Sequence, residues 1–310
     1  MFWKKKKKAD IGKKQNDFAL NMQDQPDLKV VIKTDLGNVR TNNEDAASFF
    51  RMKDETIIRE KGHLIVLADG MGGHQAGEVA SKMALEIISQ EYFKQTREKN
   101  IEKILARAFN TANKKIFDLA SENEKYHGMG TTCTAIVILS GAIYFAHAGD
   151  SRAYLYKNKS IARLTEDHTY VHELVRSGGI SAEEAEKHPQ RNILINAMGT
   201  KPSLRVDTGK CLDTFDRHDR LLLCSDGLYD YINDDELAKI LDYKLLEEAA
   251  DYLIDETKRR GAYDNITVAL AEMTDTAKDI NLKLTRDIDL PVLTRETDLP
   301  TGINTSEYDR

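Results

Sequence analysis

The stretch LIVLADGMGGH, residues 64 to 74, decides the fold, because a run of apolar residues suited to a buried β-strand ends abruptly inside it. The run stops on a carboxylate, Asp69, and three glycines follow within four residues. The same pattern recurs in IYFAHAGDSR, residues 143 to 152, and in LLLCSDGLYD, residues 221 to 230. Three strand-like runs therefore end on Asp69, Asp150 and Asp226, and their repetition indicates a shared chemical purpose.

Length and composition predict a soluble globular protein. The chain has 310 residues, 41% of them hydrophobic, which can form the core of one large domain or two small ones. No window approaches the roughly 18 consecutive apolar residues that a membrane-spanning helix needs. The run Lys4 to Lys8 is followed by a polar segment, which excludes a signal peptide and predicts a cytoplasmic protein.

Cysteine chemistry is not expected. The three cysteines, Cys133, Cys211 and Cys224, are too few and too scattered for a disulfide framework or a thiolate zinc site. Their number is typical of a reducing compartment, which agrees with the cytoplasm.

The net charge of −6 is unevenly distributed along the chain. Residues 1 to 14 contain seven lysines and one aspartate, a net +6 that leaves −12 for the rest. A nucleic-acid-binding protein needs a basic face, and the only basic cluster here is a short terminal segment. We therefore predict no nucleic-acid partner, whereas an acidic surplus is what a cation site would add.

The chain divides into a body and two polar ends. Residues 1 to 27 lack periodicity and are predicted to be a disordered basic arm. Phe2 and Trp3 beside Lys4 to Lys8 would allow a weak contact with an anionic membrane surface. A solvated tail is the simpler interpretation, because the segment lacks the periodicity of an interfacial helix. The body, residues 28 to 275, is predicted to be a single domain and a monomer.

The C-terminal segment, residues 276 to 310, contains a duplication. LTRDIDLP at residues 284 to 291 is followed by LTRETDLP at residues 293 to 300. The two copies could be docking motifs or kinase targets at Thr285 and Thr294, or an accidental duplication in a disordered tail.

Within the body, strand-like and helical patterns alternate and predict an α+β fold. GEVASKMALEIISQEYF and NIEKILARAFNTANKKIF have apolar residues at helical spacing. TCTAIVIL, AIYFAHAG, RAYLY and IARLT follow as short strands, which we expect to form one antiparallel meander. A polar insert, residues 168 to 190, is predicted to be a mobile flap, with a capping box formed by Ser181 and Glu184. A helix from about residue 235 to 260 and a last strand, NITVALAEM, complete the body.

Seven acidic residues stand at predicted strand ends or turns: Glu44, Asp45, Asp69, Asp150, Asp226, Asp230 and Asp264. Any one of them is more often a structural turn residue than a functional one. Gathered at one edge of a sheet, however, they would repel one another and raise their pKa values unless cations neutralise them. The set as a whole therefore indicates bound metal.

The donor atoms point to a hard divalent ion. An all-oxygen set without His or Cys suits Mn²⁺ or Mg²⁺ better than zinc. The glycines at 70, 72, 73 and 77 are expected to let a backbone carbonyl ligate and a phosphate-sized group approach. Arg40, four residues before Glu44, offers a guanidinium that can grip phosphate. Two metals and an arginine together indicate phosphoester hydrolysis.

Eight segments in order then show a family resemblance: DLGNVRTNNED, LADGMGGHQAGEVAS, GMGTTCTA, AGDSRAYL, LTEDHT, HPQRNILINAMG, LLCSDGLYD and YDNITV. Together they resemble the bacterial form of the metal-dependent protein phosphatase 2C (PPM-type) serine/threonine phosphatases. The resemblance covers residues 33 to 270. It implies a PP2C-like β-sandwich of two antiparallel sheets flanked by helices, in α-β-β-α layers.

The resemblance also implies a role for each site residue. Asp69 resembles the ligand that bridges two metals, Gly70 a carbonyl ligand, and Asp226 and Asp264 the remaining ligands of the core pair. Glu44 and Asp45 match the acidic pair that holds metal-bound water, and Arg40 matches the phosphate-binding arginine. A weaker third-metal site is implied at Asp150, Asp230 and Asp226.

The activity implied is hydrolysis of phosphoserine and phosphothreonine on proteins by a metal-activated water, without a phosphoenzyme. The opposing Ser/Thr kinase is an implied partner.

One position departs from many eukaryotic members, which have a histidine where this chain has Met71; His74 follows three residues later, and we assign no role to it. A water held by the metals is therefore the expected proton donor, and the flap is expected to influence substrate choice.

Two alternatives compete with this interpretation. The segment CLDTFDR, Cys211 to Arg217, has the C-x5-R spacing of cysteine phosphatases. Asp213 and Asp216 would repel an anion there, and no glycine or helix start provides a phosphate cradle. We interpret Cys211 as an ordinary buried thiol. The second alternative, a catalytically silent phosphoprotein-binding module, is disfavoured because every core acidic position is filled.

Overall fold

A computed structural model of the protein describes residues 27–72, 76–94 and 96–274. Its apolar runs are strands buried on both faces, which is why they show little alternation. In β3 (His63–Met71), Leu64 and Val66 pack toward helices, whereas Ile65 and Leu67 pack toward a second sheet. The predicted sandwich of two antiparallel sheets flanked by helices is confirmed.

Eleven strands form the two sheets of the described residues. The first sheet has the order β1-β11-β10-β7-β8 and the second the order β2-β3-β5-β6-β9, with β4 paired to β3. The first consists of β1 (Asp27–Asp35), β11 (Ile266–Thr274), β10 (Arg220–Cys224), β7 (Arg152–Lys157) and β8 (Ser160–Arg163). The second consists of β2 (Asp45–Phe50), β3, β5 (Cys133–Leu139), β6 (Ala142–Ala148), β9 (Asp207–Thr214) and the short β4 (Gly130–Thr131).

Helices cover the outer face of each sheet. The described helices are α1 (Glu55–Lys61), α2 (Ala76–Phe93), α3 (Ile101–Glu122), α4 (Tyr170–Arg176), α5 (Ala182–Glu186), α6 (Asp226–Tyr229), α7 (Asp234–Tyr243) and α8 (Leu246–Arg260), with a 3₁₀ turn at Glu124–Tyr126. Helices α2 and α3 pack on the second sheet, and α7 and α8 pack on the first. The predicted amphipathic helices are thereby confirmed as α2 and α3.

The predicted meander is wrong in one respect. Strands β5 and β6 pair with each other in the second sheet, whereas β7 and β8 pair with each other in the first. The chain crosses between the sheets at residues 149–151 because apolar side chains on both faces of each hairpin require cover from both sides. The four strands are therefore two hairpins in different sheets.

The single helix predicted from about residue 235 to 260 is two helices. Helix α7 ends at Tyr243, and α8 begins at Leu246 after the extended residues Lys244 and Leu245. Both helices bury apolar residues against the first sheet, including Leu237 in α7 and Leu253 in α8. A break lets two helices follow the twisted sheet where one straight helix would not.

The predicted flap contains α4 and α5, and its capping box at Ser181 and Glu184 is confirmed. Its first residues belong to the body, because His168 and Thr169 are buried. Most of the residues from Arg176 to Gln190 are exposed. The mobility of the flap stays a prediction.

Several expectations fall outside the described residues. These are the basic arm up to residue 26, with Phe2, Trp3 and Lys4 to Lys8, the tail from residue 276 with Thr285 and Thr294, and His74. In the part of the chain that the structure describes, no helix combines the length and apolarity needed to cross a membrane.

Lys61, the last residue of α1, places a cation inside the protein. Its Nζ atom is buried and has no hydrogen-bond partner among the described residues; the Tyr92 ring centroid lies 5.7 Å away. Burial lowers the pKa of Lys61, and the nearby charges of Lys99 and Arg107 lower it further. A buried ammonium that lacks a hydrogen-bond partner destabilises the folded state.

We expect Lys61→Met to stabilise the protein, because methionine fills the same space without a charge to desolvate. The free energy of unfolding should rise by about 1 to 2 kcal/mol in urea titrations at pH 7. Since the pKa of Lys61 is lower when folded, the parent gains stability as pH rises toward the unfolded value of about 10.4. The advantage of the variant should shrink over that range.

Lys114→Met is the matched control, because Lys114 is exposed on α3 and pairs with Asp118 at 2.6 Å. Exposed ion pairs of this kind contribute little to stability. An equal gain from both substitutions, or a loss from Lys61→Met, would contradict the assignment of Lys61 as a destabilising buried charge.

Candidate metal and phosphate site

The site begins at the paired strands β2 and β3. Asp45 and Asp69 are direct partners in the antiparallel register, so their Cα atoms lie opposite each other. The sequence predicted that Asp69 ends its strand. In the structure Asp69 lies inside β3, two residues before the strand ends at Met71. Pairing of Gly70 and Met71 with β4 extends the strand past the carboxylate.

The first sheet contributes Asp226, which follows β10 and begins the short helix α6. The preceding residue, Ser225, donates a hydrogen bond from Oγ to Asp45 Oδ2 at 2.8 Å and accepts one from the Thr267 backbone N–H at 3.0 Å. Ser225 therefore joins the two sheets beside the carboxylates. Asp226 Oδ1 is buried and has no hydrogen-bond partner among the described residues.

Asp264 and Arg40 form the exposed border of the site. Asp264 Oδ2 accepts a 2.7 Å hydrogen bond from the Arg40 guanidinium, and Oδ1 accepts one from the Asn265 backbone N–H at 2.8 Å. The Arg40 side chain is 51% exposed. A guanidinium so accessible can exchange its carboxylate partner for an incoming anion.

Asn265 holds the loop that carries Glu44. Its Oδ1 atom accepts a 2.9 Å hydrogen bond from the Glu44 backbone N–H, and its Nδ2 atom donates to the carbonyls of Leu36 and Asn42 at 3.1 and 3.0 Å. Burial raises the pKa of Glu44, while the charge of Arg40 acts in the opposite direction.

Two of the predicted glycines, Gly70 and Gly77, have a packing role that the sequence did not reveal. A Cβ atom on Gly70 would overlap the carbonyl oxygens of Gly77 and Glu44, and one on Gly77 would overlap the Glu44 carboxylate. These glycines therefore let β3, α2 and the Glu44 loop pack against one another, rather than leaving open space for a phosphate. The Gly70 backbone N–H donates to the Glu44 carbonyl at 3.1 Å.

Asp150 and Asp230 complete the acidic set. Asp150 is 5% exposed and lies on the crossover between β6 and β7. Asp230 directly follows α6 and pairs with Arg191 of the segment after α5, at 2.8 Å. Asp230 lines a cavity of about 200 Å³, together with Asp226, Asp264, Arg191, Tyr231 and Tyr263.

The pKa values show that these carboxylates share one electrostatic environment. Burial raises the pKa values of Asp69 and Asp226 well above the usual range, and neighbouring carboxylates raise both further. Burial raises the pKa of Asp45 to about 6 despite hydrogen bonds from Thr267 and Ser225. Burial and the charge of Asp167 raise the pKa of Asp150 to about 7. Residues from both sheets therefore converge as predicted.

The donors present fit hard divalent cations. They are carboxylate oxygen atoms whose negative charges repel one another. One of them, Asp226 Oδ1, is buried and has no hydrogen-bond partner among the described residues. Among the described residues, however, no three Asp, Glu, His or Cys side chains are already arranged to hold one metal ion. Guanidinium groups instead bind two of the carboxylates, through Arg40 and Arg191. Cation binding thus requires local rearrangement of these side chains.

Sequence reasoning missed the polar residues that hold the carboxylates in place. Ser225, Asn265 and Thr132 form hydrogen bonds to the backbone or side chains of the acidic residues. Ser225 and Asn265 adjoin predicted site residues, which is the only sequence signal that could have identified them. Nothing in the sequence places Thr132 beside Asp69, because 63 positions separate them.

The C-x5-R segment does not form a phosphate cradle. Cys211 and Leu212 lie in the edge strand β9, and the Leu212 side chain is fully exposed. Cys211 is half-buried, so the prediction of a buried thiol is wrong: an edge strand leaves part of its side chains in solvent. Asp216 forms a 2.8 Å ion pair with Lys157, so the segment presents a carboxylate that would repel a phosphate.

Comparison with known proteins supplies a family. A model described as protein phosphatase 2C matches residues 39–271. The serine/threonine phosphatase stp of Listeria monocytogenes is 41% identical over 251 residues, which cover 80% of this chain and 96% of that protein.

Solved structures are similar as well. The S. agalactiae serine/threonine phosphatase has a TM-score of 0.72 and 36% identity, covering 79% of this chain and 99% of the other. The catalytic domain of the phosphatase PstP, solved in complex with two manganese ions, has a TM-score of 0.66 and 32% identity, covering 80% and 99%.

We expect Asp226→Asn to stabilise the metal-free protein, because it removes one of several repelling charges. Burial raises the pKa of Asp226 well above its usual range, so the folded state loses stability as pH rises above the unfolded value of about 4. Thermal melts in chelator at pH 7.5 should show a gain of about 2 kcal/mol for the variant. The gain should vanish near pH 4.

Asp167→Asn is the control with the opposite expected sign. Burial acts to raise the pKa of Asp167, but hydrogen bonds and charge from Arg152 outweigh it and lower the pKa. Arg152 donates to both carboxylate oxygens, at 3.1 and 2.7 Å. Breaking this buried pair should destabilise the protein by about 3 kcal/mol at pH 7.5. Destabilisation by Asp226→Asn of similar size would refute the repulsion argument.

Proposed function

Because this chain belongs to the protein phosphatase 2C family, we propose that it hydrolyses phosphoserine and phosphothreonine on proteins directly, with divalent metal and without a phosphoenzyme. The family resemblance read from the sequence is confirmed, and the chain is a protein serine/threonine phosphatase. The single observation that supports the metal-dependent mechanism is the convergence of buried carboxylates with raised pKa values around the unpartnered Asp226 Oδ1.

The proposed ligands are the acidic residues described above. Asp69, Gly70 through its carbonyl, Asp226 and Asp264 would hold two core ions. Glu44 and Asp45 would hold water bound to those ions. Asp150, Asp230 and Asp226 would hold a weaker third ion. Mn²⁺ or Mg²⁺ bound there would supply a water of lowered pKa and charge stabilisation for the displacement at phosphorus.

Arg40 is proposed to bind the phosphate of the substrate. Its guanidinium lies at the border of the site, held 2.7 Å from Asp264 and half in solvent. Two N–H groups of one guanidinium can donate to two phosphate oxygens and fix their orientation. Release of Asp264 by Arg40 would at the same time free that carboxylate.

The proton for the leaving oxygen is proposed to come from a water that bound metals would hold, rather than from a protein side chain. Met71, at the end of β3, has a thioether that carries no proton to donate. His147 and His168 are fully buried and already hydrogen-bonded on both ring nitrogens. Neither imidazole can reach a bound substrate.

The surroundings of the site support further proposals about substrates and location. The body from residue 28 to 275 carries the activity, and an opposing kinase supplies the phosphoprotein. The flap contributes to substrate choice, and Arg191, the residue directly after it, lines the cavity. The chain acts as a monomer in the cytoplasm; its three cysteines, all free, are typical of a reducing compartment.

Asp226→Asn should abolish the activity that the parent shows toward a small aryl phosphate. With Mn²⁺ present, we expect turnover to fall by at least about a hundredfold, because a ligand shared by the proposed metals is lost. The measurement is initial rate against Mn²⁺ concentration for both proteins. Addition of chelator should stop the parent.

Asp235→Asn, an acidic residue in the exposed first turn of α7, is the control and should retain the parental rate. Equal rates for the parent and Asp226→Asn would exclude this active site. A parent without turnover at any Mn²⁺ concentration would instead favour a silent phosphoprotein-binding module.

Arg40→Ala should raise KM for a phosphothreonine peptide by about tenfold or more while kcat changes less, because the lost contact grips the phosphate in both ground and transition states. Arg40→Lys should recover only part of this, since an ammonium lacks the planar fork. Arg59→Ala is the control: Arg59 is exposed on α1 and pairs with Glu55. An unchanged KM in Arg40→Ala would exclude the assignment.

A further inference from the structure

Residues 149–151, which include Asp150, connect the second sheet to the first. Strand β6 of the second sheet ends at Ala148, and β7 of the first sheet begins at Arg152. Gly149 has a φ of +117°, and a Cβ atom there would lie 2.5 Å from Thr132 Cβ. The crossover is therefore a tight connection with a backbone that only glycine adopts readily.

Buried imidazoles hold the first residue of this crossover. Gly149 O lies 2.9 Å from His147 Nε2, and the Gly149 backbone N–H donates to His168 Nδ1 at 3.1 Å. His168 Nε2 in turn lies 2.9 Å from Asp207 Oδ2. Because His168 Nδ1 accepts, its Nε2 carries the proton toward Asp207.

Buried hydroxyls hold the last residue of the crossover. Ser151 O accepts a 3.1 Å hydrogen bond from Thr134 Oγ1, and Ser151 Oγ lies 2.6 Å from Thr132 Oγ1. Ser151 and Thr134 are fully buried, and Thr132 is nearly so. In such surroundings a hydrogen bond is specific in geometry and costly to break.

Thr132 extends this contact to the core of the proposed metal site. Its Oγ1 atom accepts a 3.0 Å hydrogen bond from the Asp69 backbone N–H, and its own backbone N–H donates to the Asp69 carbonyl at 2.8 Å. One buried hydroxyl therefore connects the strand of Asp69 to Ser151, the immediate neighbour of Asp150.

We propose that Thr132 and Ser151 are positioning residues that fix Asp150 relative to Asp69 and thereby set the affinity of the weak third cation site. The inference rests on the proposed function, because it presupposes that Asp69 and Asp150 ligate cations. Neither hydroxyl touches substrate; both act through the crossover backbone. The third site thus depends on a contact between the two sheets.

Loss of a contact that only stabilises the fold and loss of a contact that positions a ligand should give different results. Loss of a buried hydrogen bond that only stabilises the fold lowers the melting temperature and weakens every cation site alike or none. Loss of a positioning contact weakens the site whose ligand moves and leaves the others unchanged. The number and affinity of bound Mn²⁺ ions therefore separate the two.

Ser151→Ala is the decisive variant, because it removes the contact with Thr132 Oγ1 and leaves the bond between Thr132 and Asp69 intact. We expect calorimetric titration of Mn²⁺ into the metal-free full chain to show the weakest site about tenfold weaker and the tighter sites unchanged. Turnover of aryl phosphate at saturating Mn²⁺ should return toward the parental rate.

Two further variants test the same connection from its other end. Thr132→Ser keeps the hydroxyl and should titrate as the parent does, whereas Thr132→Val should lose affinity at the weakest site at least as strongly as Ser151→Ala. The double variant with Ser151→Ala should be no weaker there than Thr132→Val alone, since the two side chains act through one contact.

Thr257→Val is the matched control. Thr257 is fully buried in α8, and its Oγ1 atom donates to the Leu253 carbonyl at 2.7 Å, far along the chain from the crossover. It should change the melting temperature without changing the Mn²⁺ titration. An equal loss of third-site affinity in Thr257→Val would overturn the inference.

The remaining outcomes also decide. A Ser151→Ala protein that titrates as the parent, or that weakens all sites equally, overturns the positioning role and leaves the proposed function intact. A parent protein that binds only two Mn²⁺ ions would also overturn the positioning role, because there would be no third site to weaken. A parent that binds no Mn²⁺ and whose turnover is insensitive to Asp226→Asn overturns the proposed function and this inference with it.

Discussion

Repulsion among buried carboxylates is the constraint on which the rest of this structure depends. Asp69, Asp226, Asp45 and Asp150 lie in one environment that raises all four pKa values, so an ionised site is unfavourable for folding. The protein tolerates this arrangement because two sheets and several helices bury apolar side chains on both sides of it. Burial of apolar side chains elsewhere in the fold therefore offsets the free-energy cost of placing these carboxylates together.

Protein cations and polar side chains manage that repulsion in complementary ways. Arg40 and Arg191 bind Asp264 and Asp230 at the exposed border, where exchange with ligands is easy. Ser225 and Thr132 bind the buried part through short hydroxyl contacts that do not neutralise charge. The border is therefore adaptable, whereas the interior fixes where each carboxylate lies. A phosphatase active site needs both properties, since the substrate must enter and the reacting groups must stay in a fixed arrangement.

Much of the fold could be predicted because local patterns were strong. Helices α2 and α3 have clear apolar faces, and the strands are long apolar runs between glycine-rich turns. Errors arose where a local pattern was compatible with two tertiary arrangements. The hairpins β5–β6 and β7–β8 look alike in sequence but belong to different sheets, and α7 and α8 read as one helix. Likewise Asp69 lies inside β3 because β4, a partner of two residues, extends the strand.

The sequence by itself determined the kind of site: seven carboxylates at predicted strand ends or turns, a nearby arginine and no cysteine or histidine cluster define its chemistry. Residue types carry charge and donor atoms wherever the chain places them, so this much needs no coordinates. Only the tertiary structure decided that Thr132 touches Asp69 and Ser151, that Ser225 joins the two sheets, and that Gly70 faces backbone instead of open space. These contacts join residues distant in the chain, and their formation depends on sheet register and layer spacing, which local sequence patterns do not encode.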